Sequence, residues 1–444
     1  MPLKAIINHL NFFLGESKSY KRELIQSVSS TAFITFISMV LAFISSIILA
    51  RSLTVEGYGA YSFIMSLTGS LALISYLGLP AMMTREIAKY NQSEKWGLIR
   101  GLIAKSHQFV ICIAILLILL LTMMWLLFAS STESNDWRLL IYSMPLIPII
   151  ALTSLRIASL RGLKRVVMGA IPEGVVRPAI FLILLMFLTL IGGASVEAII
   201  VAQIIAAFGA LSVGVMLFRR VVFENYKNVA PEYETQEWKS LLLPFMGIAS
   251  VSFLNVGFIT IFLGFLGTNQ DVAMYRIAVN VALVVALPLA LIESVISPHI
   301  THLYSAGEID KLRKLVQLGS LAALLISSLP ALGLLFFGTE IIKLLYGIEY
   351  VEAYSTLVVI VIGYSIVNFV GLSMQLLYAT EYHTTAFRLS VYGAVITVLI
   401  CLLLIPMFGA LGAGIALGFG KAIRSALFVV EARRRLNFKT SLVW

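Results

Sequence analysis

Charged side chains that interrupt long apolar stretches are the most chemically informative residues of this sequence. Arg276, Glu293, Lys421 and Arg424 all lie within such stretches. An ionised side chain is costly in lipid, so it usually faces a water-filled cavity, a polar partner or a ligand. We therefore expect these positions to bind a polar ligand or to couple its movement to that of an ion.

Two pairs of polar residues have the spacing of a single helix face. Arg276 and Asn280 are four residues apart, and Lys421 and Arg424 are three apart, so each pair projects from one side of a helix. Long basic side chains near a helix end also extend toward the membrane surface, and this alternative stays open for both pairs. Asn255 adds a polar side chain midway along another apolar stretch.

The signs of these charges indicate the kind of ligand. Cations outnumber acids within the apolar stretches, which favours an anion such as a diphosphate. Basic side chains bind phosphate oxygens through charge-assisted hydrogen bonds. A site for organic cations would instead contain buried carboxylates and an aromatic box. Glu293 is the candidate for a protonatable coupling group, and an ion pair with Arg85 or another basic residue is the alternative.

Enzyme signatures are missing from the sequence. It contains no Walker A motif, no histidine pair with the spacing of a zinc site and no Gly-x-Ser-x-Gly motif. We therefore predict that the protein is not an enzyme and that it has no catalytic residues, no cofactor and no metal site.

The composition is that of a membrane protein. Of the 444 residues, 60% are hydrophobic and 12% are charged, and the mean hydropathy is +0.98. Soluble domains contain about 45–50% apolar and about 25% charged residues. Long apolar runs cross a bilayer as helices, because a helix satisfies its own backbone hydrogen bonds. The net charge of +10 is then explained by topology and contact with membrane lipids, with no nucleic acid as partner.

These runs predict an all-α integral membrane protein of about twelve transmembrane helices. The N-lobe, residues 28–218, contains spans at 28–50, 59–80, 102–128, 139–158, 172–191 and 195–218. The C-lobe, residues 241–430, contains spans at 241–266, 272–296, 316–338, 351–378, 387–406 and 408–430. A cytoplasmic N-terminal segment (1–27), a cytoplasmic linker (219–240) and a cytoplasmic basic tail (431–444) complete the chain.

The basic residues predict the orientation of these spans. With both termini on one side, 28 of the 32 Lys and Arg residues fall on that side. The four exceptions are Arg51, Arg138, Arg276 and Lys343. Loops on the cytoplasmic side of a membrane carry the excess of Lys and Arg, so we expect both termini in the cytoplasm.

The two halves of the chain are related by an internal repeat. A shift of 214 residues aligns Tyr61 with Tyr275 and Tyr90 with Tyr304, and the order of helices and charged segments matches as well. Six helices per half is an even number, so both halves have the same orientation in the membrane. Two parallel six-helix lobes are typical of a transporter that rocks around a central site.

Several short motifs carry a family resemblance. They are Arg51-Ser52-Leu53, Glu56-Gly57-Tyr58-Gly59, Gly78-Leu79-Pro80, Arg85-Glu86-Ile87-Ala88, Arg161-Gly162-Leu163-Lys164-Arg165, Pro172-Glu173 and Arg177-Pro178. Together they resemble the oligosaccharide-flippase (Wzx-type, polysaccharide transporter) branch of the multidrug/oligosaccharidyl-lipid/polysaccharide exporter superfamily. The resemblance covers nearly the whole chain.

This resemblance implies a V-shaped, two-lobed transporter in a bacterial inner membrane. Its first, second, seventh and eighth helices would line a cavity that opens alternately to the two sides. The substrate would be an undecaprenyl-diphosphate-linked oligosaccharide repeat unit for O-antigen, capsule or exopolysaccharide, flipped from the cytoplasmic to the periplasmic leaflet. Besides membrane lipids, a polysaccharide polymerase and glycosyltransferases would be partners.

The resemblance also extends the set of candidate substrate-binding residues. Its members are Arg51, Arg85, Asn255, Arg276, Asn280, Lys421 and Arg424, with Glu293 as the coupling candidate. All but Lys421 and Arg424 lie on the helices expected to line the cavity.

Three other functions are compatible with parts of this pattern. An ion-coupled multidrug or organic-cation antiporter of the same superfamily would need a clear acidic site within one lobe. A lipid II flippase usually has two further helices. A membrane glycosyltransferase or polymerase typically has a large loop outside the membrane, and no predicted loop here is long enough for one.

Overall fold

The computed structural model describes residues 18–128, 135–226, 229–255 and 257–436, and it confirms the all-α class. In chain order the α-helices are α1 (Lys18–Ser52), α2 (Val55–Ser75), α3 (Leu79–Gln92), α4 (Trp96–Phe128), α5 (Asn135–Ser143), α6 (Leu146–Gly162), α7 (Val166–Ile171), α8 (Arg177–Leu190), α9 (Val196–Tyr226), α10 (Thr235–Asn255), α11 (Phe258–Leu266), α12 (Asn269–Ser305), α13 (Ile309–Leu345), α14 (Ala353–Val370), α15 (Ser373–Tyr378) and α16 (His383–Leu436). A π-helical segment, Pro172–Val176, joins α7 to α8, and a short 3₁₀ segment, Ile348–Tyr350, follows α13.

Ten helical stretches of the described residues are long and apolar enough to cross a membrane, so the protein is a multi-pass membrane protein. The predicted count of twelve differs in two places. The predicted seventh span is divided into α10 and α11, with Gly257 in a left-handed conformation (φ 72°) at the start of α11. The predicted eleventh and twelfth spans both belong to α16, which is interrupted at Gly409 (φ 52°, ψ −124°).

The two arms of α16 form an antiparallel hairpin around Gly409. Gly412 lies against the backbone of Leu404, and Gly420 lies against Thr397. Both pairs are centred close to residue 408, so the chain reverses direction next to Gly409. A Cβ atom at Gly409 would overlap the carboxylate of Asp271, which explains why a glycine forms this turn.

The helices extend further than the sequence predicts at the linker and the termini. Helix α9 continues to Tyr226 and α10 begins at Thr235, so parts of the predicted linker 219–240 are helical. Likewise α1 begins at Lys18, within the predicted N-terminal segment, and α16 continues to Leu436, within the predicted basic tail. Apolar composition marks only the lipid-embedded part of a helix, which explains the shorter predicted spans.

Helix caps confirm the register of the internal repeat. Thr54 caps α2, and its side chain accepts a hydrogen bond from the backbone N–H of Gly57. Thr268 caps α12, and its side chain accepts one from the N–H of Asp271. Thr268 and Asp271 follow Thr54 and Gly57 by 214 residues each, which is the shift that relates the two halves of the sequence. The two lobes therefore begin their second helix in the same way.

The lobes are packed together at one end of the molecule, which we call the closed end. It contains the end of α1 and the start of α2 from the N-lobe, and the start of α12 and the end of α13 from the C-lobe. Residues Tyr58 to Ile64 of α2 are buried without interruption. A Cβ atom on Gly59 would lie 1.7 Å from the carbonyl oxygen of Asn269, so only glycine permits this approach of α2 to α12.

The lobes separate toward the opposite end, the open end. Helices α1 and α12 expose large apolar side chains in their open-end halves, including Phe33, Leu291 and Val295, whereas their closed-end halves are mostly buried. The hydrophobic core at the closed end contains residues of both lobes. At the open end each lobe has its own core cluster. The space between the lobes is therefore accessible from the open end.

Candidate functional site between the two lobes

Arg276 and Asn280 lie where α12 meets the N-lobe. The side-chain amide of Asn280 donates to the hydroxyl of Tyr58 at 3.3 Å. Arg276 is half-buried and lies within electrostatic range of the hydroxyls of Tyr58, Tyr61 and Tyr346. Its Nε is buried and has no hydrogen-bond partner among the described residues. The structure thus brings the predicted pair together with tyrosines of both lobes.

The start of α12 is held in place by Asp271. Its carboxylate accepts from the N–H and the hydroxyl of Thr268, at 3.0 and 2.7 Å, in a capping box. The same carboxylate accepts from the backbone N–H of Ala410 at 3.0 Å, next to the turn of α16. Arg276 and Asn280 follow on α12 within three turns, so their positions depend on this anchor.

Arg51 links the two lobes at the closed end. Its guanidinium donates to the backbone carbonyls of Leu344 and Leu345, the latter at 2.8 Å. These are among the last carbonyls of α13, which have no partner within their own helix. Arg51 therefore lies at the closed end, where backbone carbonyls of the protein engage its guanidinium. Its predicted role in substrate binding stays a prediction.

Two tyrosines add neutral hydrogen bonds to this contact. The hydroxyl of Tyr350 donates to the carbonyl of Ala50 at 2.9 Å. The hydroxyls of Ser46 and Tyr346 lie 3.0 Å apart. Each bond joins the N-lobe to the C-lobe, so the closed end is held by groups that water can replace when it opens.

Three other predicted residues meet inside the C-lobe. Glu293 of α12 lies within electrostatic range of Lys421 and Arg424 of α16. The ammonium group of Lys421 lies 3.5 Å from the hydroxyl of Tyr364 and 4.5 Å from the centroid of its ring. We call Glu293, Tyr364, Lys421 and Arg424 the C-lobe charge cluster. Its net charge is positive, because two cations face one carboxylate.

Arg85 lies apart from both groups, at the open end of the N-lobe. Its Nε is 3.6 Å from the carboxylate of Glu86, and its guanidinium lies 6.0 Å from the ring centroid of Phe245. The predicted alternative of an ion pair between Glu293 and Arg85 is therefore not observed among the described residues. Asn255 ends α10, and its side chain lies outside the part that the structure describes.

The start of α10 is attached to the N-lobe. The hydroxyl of Tyr90 donates to Glu234 and accepts from the indole N–H of Trp238, each at 2.9 Å. Burial raises the pKa of the Tyr90 phenol, so it stays protonated and keeps both bonds. Lys89 pairs with Glu237 at 3.7 Å. The part of the predicted linker that precedes the seventh span is thus attached to the N-lobe.

Sequence reasoning did not single out the tyrosines of the site or their partners. Tyr61 accepts from the side chain of Gln203 at 2.8 Å, and Arg177 acts electrostatically on the same hydroxyl. Arg177 itself pairs with Glu173 at 3.1 Å. The alignment of Tyr61 with Tyr275 in the internal repeat is a sequence signal that could have identified Tyr61. For Tyr364 no sequence signal distinguishes it from other aromatic residues in apolar runs.

The chemistry of these groups suits binding rather than catalysis. Guanidinium, ammonium, amide and hydroxyl groups donate hydrogen bonds to phosphate and sugar oxygens. Among the described residues, no group of three or more His, Cys, Asp and Glu side chains is arranged to hold a metal ion.

Comparison with known proteins gives a family and a relative. A family model described as "Polysaccharide biosynthesis protein" matches residues 24–304. A curated protein of Haloferax volcanii, named probable flippase AglR, is 31% identical over 175 residues. That alignment covers 38% of this chain and 36% of the relative, so the chain matches about a third of the relative's length.

Solved structures share the fold. An inward-facing multidrug resistance MATE family transporter of the MOP superfamily gives a TM-score of 0.74 at 15% identity, covering 91% of this chain and 98% of that one. The lipid II flippase MurJ, in an inward closed conformation, gives 0.69 at 14% identity, covering 91% and 87%. An outward-facing MATE transporter gives 0.63 at 16% identity, covering 93% and 95%. At these identities the similarity shows the two-lobed fold.

Proposed function

This chain belongs to the polysaccharide biosynthesis protein family, and we propose that it is a flippase for a lipid-linked oligosaccharide. The substrate is an undecaprenyl-diphosphate-linked repeat unit, moved from the cytoplasmic to the periplasmic leaflet by alternating access. One observation carries this proposal: two lobes meet at one end, part at the other and present an excess of cations near the space between them. The name of the Haloferax relative supports the same activity.

The positive-inside rule supports a cytoplasmic open end. Of the 32 Lys and Arg residues, 28 are predicted on the side of the termini, and the described members of this set, such as Arg85 and Lys89, belong to the open end. The conformation is then inward-open, in agreement with the higher TM-score against the inward-facing transporter than against the outward-facing one. We propose a bacterial inner membrane with both termini in the cytoplasm.

Cations near the space between the lobes bind the diphosphate. Arg276 has a buried Nε that no described residue satisfies, and Asn280 offers an amide beside it. Lys421 and Arg424 supply two further positive charges from the C-lobe. A diphosphate stabilises such a group because each oxygen accepts a charge-assisted hydrogen bond. Asn255, Arg85 and Arg51 complete the proposed binding set along the path.

Glu293 is proposed to couple flipping to an ion gradient. Its carboxylate shares the C-lobe charge cluster with two cations, so protonation changes the net charge of that cluster by one unit. Binding of an anion at Lys421 and Arg424 competes with Glu293 for the same positive charges. Proton uptake by Glu293 therefore favours the loaded state.

Flipping requires the closed end to open and the open end to close. The closed end is joined by hydroxyl and backbone hydrogen bonds such as that of Tyr350 to Ala50. Water replaces such bonds at a net cost of about 0.5–1.5 kcal/mol each. Repulsion between the proposed binding cations of the two lobes falls once an anionic substrate lies between them. Substrate binding thus lowers the cost of closing the open end.

Deletion of the gene in its own host tests the activity. We expect surface polysaccharide to disappear and the complete undecaprenyl-linked repeat unit to accumulate on the cytoplasmic leaflet. Expression of the wild-type chain should restore export, as should Arg138→Ala, which removes an exposed cation from the closed end. Normal polymer with new sensitivity to cationic drugs would identify a multidrug antiporter. Arrest of peptidoglycan synthesis would identify a lipid II flippase.

The polysaccharide polymerase and glycosyltransferases are proposed as functional partners. The glycosyltransferases produce the repeat unit, and the polymerase consumes it after flipping. If so, the lipid-linked intermediate should have the full sugar composition of one repeat when the flippase is absent. An incomplete unit would place the defect before flipping.

A further inference from the structure

Three basic side chains converge in the N-lobe, on helices other than those that join the lobes. His107 lies on α4, Arg156 on α6 and Arg219 on α9. His107 and Arg156 act on each other electrostatically, and so do Arg156 and Arg219. No carboxylate is among the neighbours that act on His107 or Arg156 within the described ranges. Arg156 and Arg219 are like charges held close together, which indicates a site for an anion.

Two nitrogen atoms of this group are buried and unpaired. The Nδ1 of His107 donates to the carbonyl of Ile103 at 2.7 Å, which fixes the imidazole ring. The Nε2 of His107 and the Nε of Arg156 have no hydrogen-bond partner in the part of the chain that the structure describes. Buried polar atoms without partners are rare in folded proteins, and they commonly mark a site for a ligand or an ion.

An aromatic ring orients the central guanidinium. The Cζ of Arg156 lies 4.8 Å from the centroid of the Phe218 ring, a cation–π contact. Arg219 follows Phe218 directly on α9 and is exposed. One face of the Arg156 guanidinium is thus covered by the ring, and its N–H groups are available at the edge.

Arg156 and Arg219 lie near the open-end limits of their membrane spans. Helix α6 ends at Gly162, about one and a half turns beyond Arg156, at the open end. Helix α9 continues from Arg219 to Tyr226, beyond the apolar part of its span. Lys and Arg side chains near a membrane surface are attracted to the phosphate groups of lipids.

We propose that His107, Arg156 and Arg219 form a binding site for the phosphate of an acidic lipid at the open end of the N-lobe. Arg156 and Arg219 donate to phosphate oxygens. The bound phosphate favours protonation of His107, whose Nε2–H then donates to a third oxygen. The lipid is either a phospholipid or a polyprenyl phosphate, since both present a phosphate at this depth. This site does not depend on the proposed flippase activity.

Lipid titration of the purified full-length protein in detergent tests the site. Native mass spectrometry would count bound phosphatidylglycerol, with phosphatidylcholine as the zwitterionic comparison. Arg156→Gln and Arg219→Gln should each weaken the phosphatidylglycerol affinity about tenfold, because a charge-assisted hydrogen bond is lost. The matched control Arg165→Gln removes an exposed cation from the same lobe and end, and it should change the affinity by less than about twofold.

The same titration with undecaprenyl phosphate separates the two sources. Displacement of phosphatidylglycerol by undecaprenyl phosphate from the wild type, but not from Arg219→Gln, identifies a polyprenyl ligand. Failure of that displacement, with phosphatidylglycerol still sensitive to the substitutions, identifies a phospholipid.

Exposed Arg219 keeps the proposal falsifiable if Arg156→Gln or His107→Gln fails to fold. Its replacement leaves the core intact, so size-exclusion and melting profiles should match the wild type. Equal phosphatidylglycerol affinity of Arg219→Gln and the Arg165→Gln control would overturn the site. Loss of affinity only in Arg219→Gln would support it.

Discussion

The two ends of the molecule are built from different chemistry. At the closed end the lobes approach to backbone distance at Gly59 and are joined by tyrosine and serine hydroxyls such as those of Tyr346 and Ser46. At the open end the N-lobe surface is rich in charge, as in the pairs that Lys89 makes with Glu86 and Glu237 at 3.6 and 3.7 Å. One end is held by close packing, whereas the other is controlled by charge.

This difference suggests how the cycle is controlled. Packing and neutral hydrogen bonds depend little on salt or ligand, so they define a resting state with the closed end shut. Interactions among charges change when an anion binds. In the proposed cycle, the open end and the C-lobe charge cluster are therefore the parts that respond to substrate. Four substitutions test this contrast.

The largest effect is expected from Gly59→Val. Its Cβ would lie 1.7 Å from the carbonyl of Asn269, so the closed end has to separate. Overpacking costs about 1–3 kcal/mol, enough to change the ratio of states about fivefold or more. Spin labels on exposed Glu56→Cys and Glu349→Cys, one in each lobe, should report a longer distance, and export should fall.

Gly69→Val is the matched control on the same helix, because nothing lies within 4 Å of its added Cβ. It should leave the distance between the labels and the export rate unchanged. An unaltered distance in Gly59→Val would show that the close approach does not hold the lobes together.

The next effect is expected from Arg276→Ala. Loss of charge-assisted hydrogen bonds to a phosphate costs about 1.5–3 kcal/mol, so flipping should slow by about 10–100-fold. Arg276→Lys keeps the charge and should preserve part of the activity. Both are measured as surface polysaccharide at equal expression. Normal export by the Ala variant would mean that Arg276 is only an anchor at the membrane surface.

The third effect is expected from Glu293→Gln in the C-lobe charge cluster. If Glu293 couples flipping to protons, Glu293→Gln should abolish stimulation by an imposed pH gradient while leaving substrate binding intact. Flipping of a fluorescent polyprenyl-diphosphate oligosaccharide in proteoliposomes measures this. Glu349→Gln, exposed at the closed end, is the control and should respond to the gradient like the wild type. Unchanged stimulation in Glu293→Gln would exclude it as the coupling group.

The smallest effect is expected from Tyr350→Phe. It removes one hydrogen bond, to the carbonyl of Ala50, and leaves the ring packed. The closed end should be weakened by about 0.5–1.5 kcal/mol. The same pair of spin labels should show a modest rise in the open population. A shift as large as that of Gly59→Val would mean that hydrogen bonds, rather than packing, hold this end.

Helical class, the internal repeat and the pairing of nearby residues were predictable from the sequence. Apolar runs of this length have one structural solution in lipid, because every backbone polar group must be satisfied within the segment. Thr54 and Thr268 are related by the same 214-residue shift that aligns Tyr61 with Tyr275, and both cap a helix. Arg276 and Asn280 share a face because of their spacing alone.

Which face of each helix contacts another helix was decided only by the tertiary structure. A helix in lipid is apolar on all sides, so its hydrophobic pattern does not show which face meets another helix. Ser46 meets Tyr346 and Tyr350 meets Ala50 across 300 residues of chain, a separation at which no local pattern operates. The neighbours of Glu293, the breaks at Gly257 and Gly409, and the choice of the end that closes all follow from packing within and between the lobes. That packing depends on shapes and contacts that form only when the whole chain has folded.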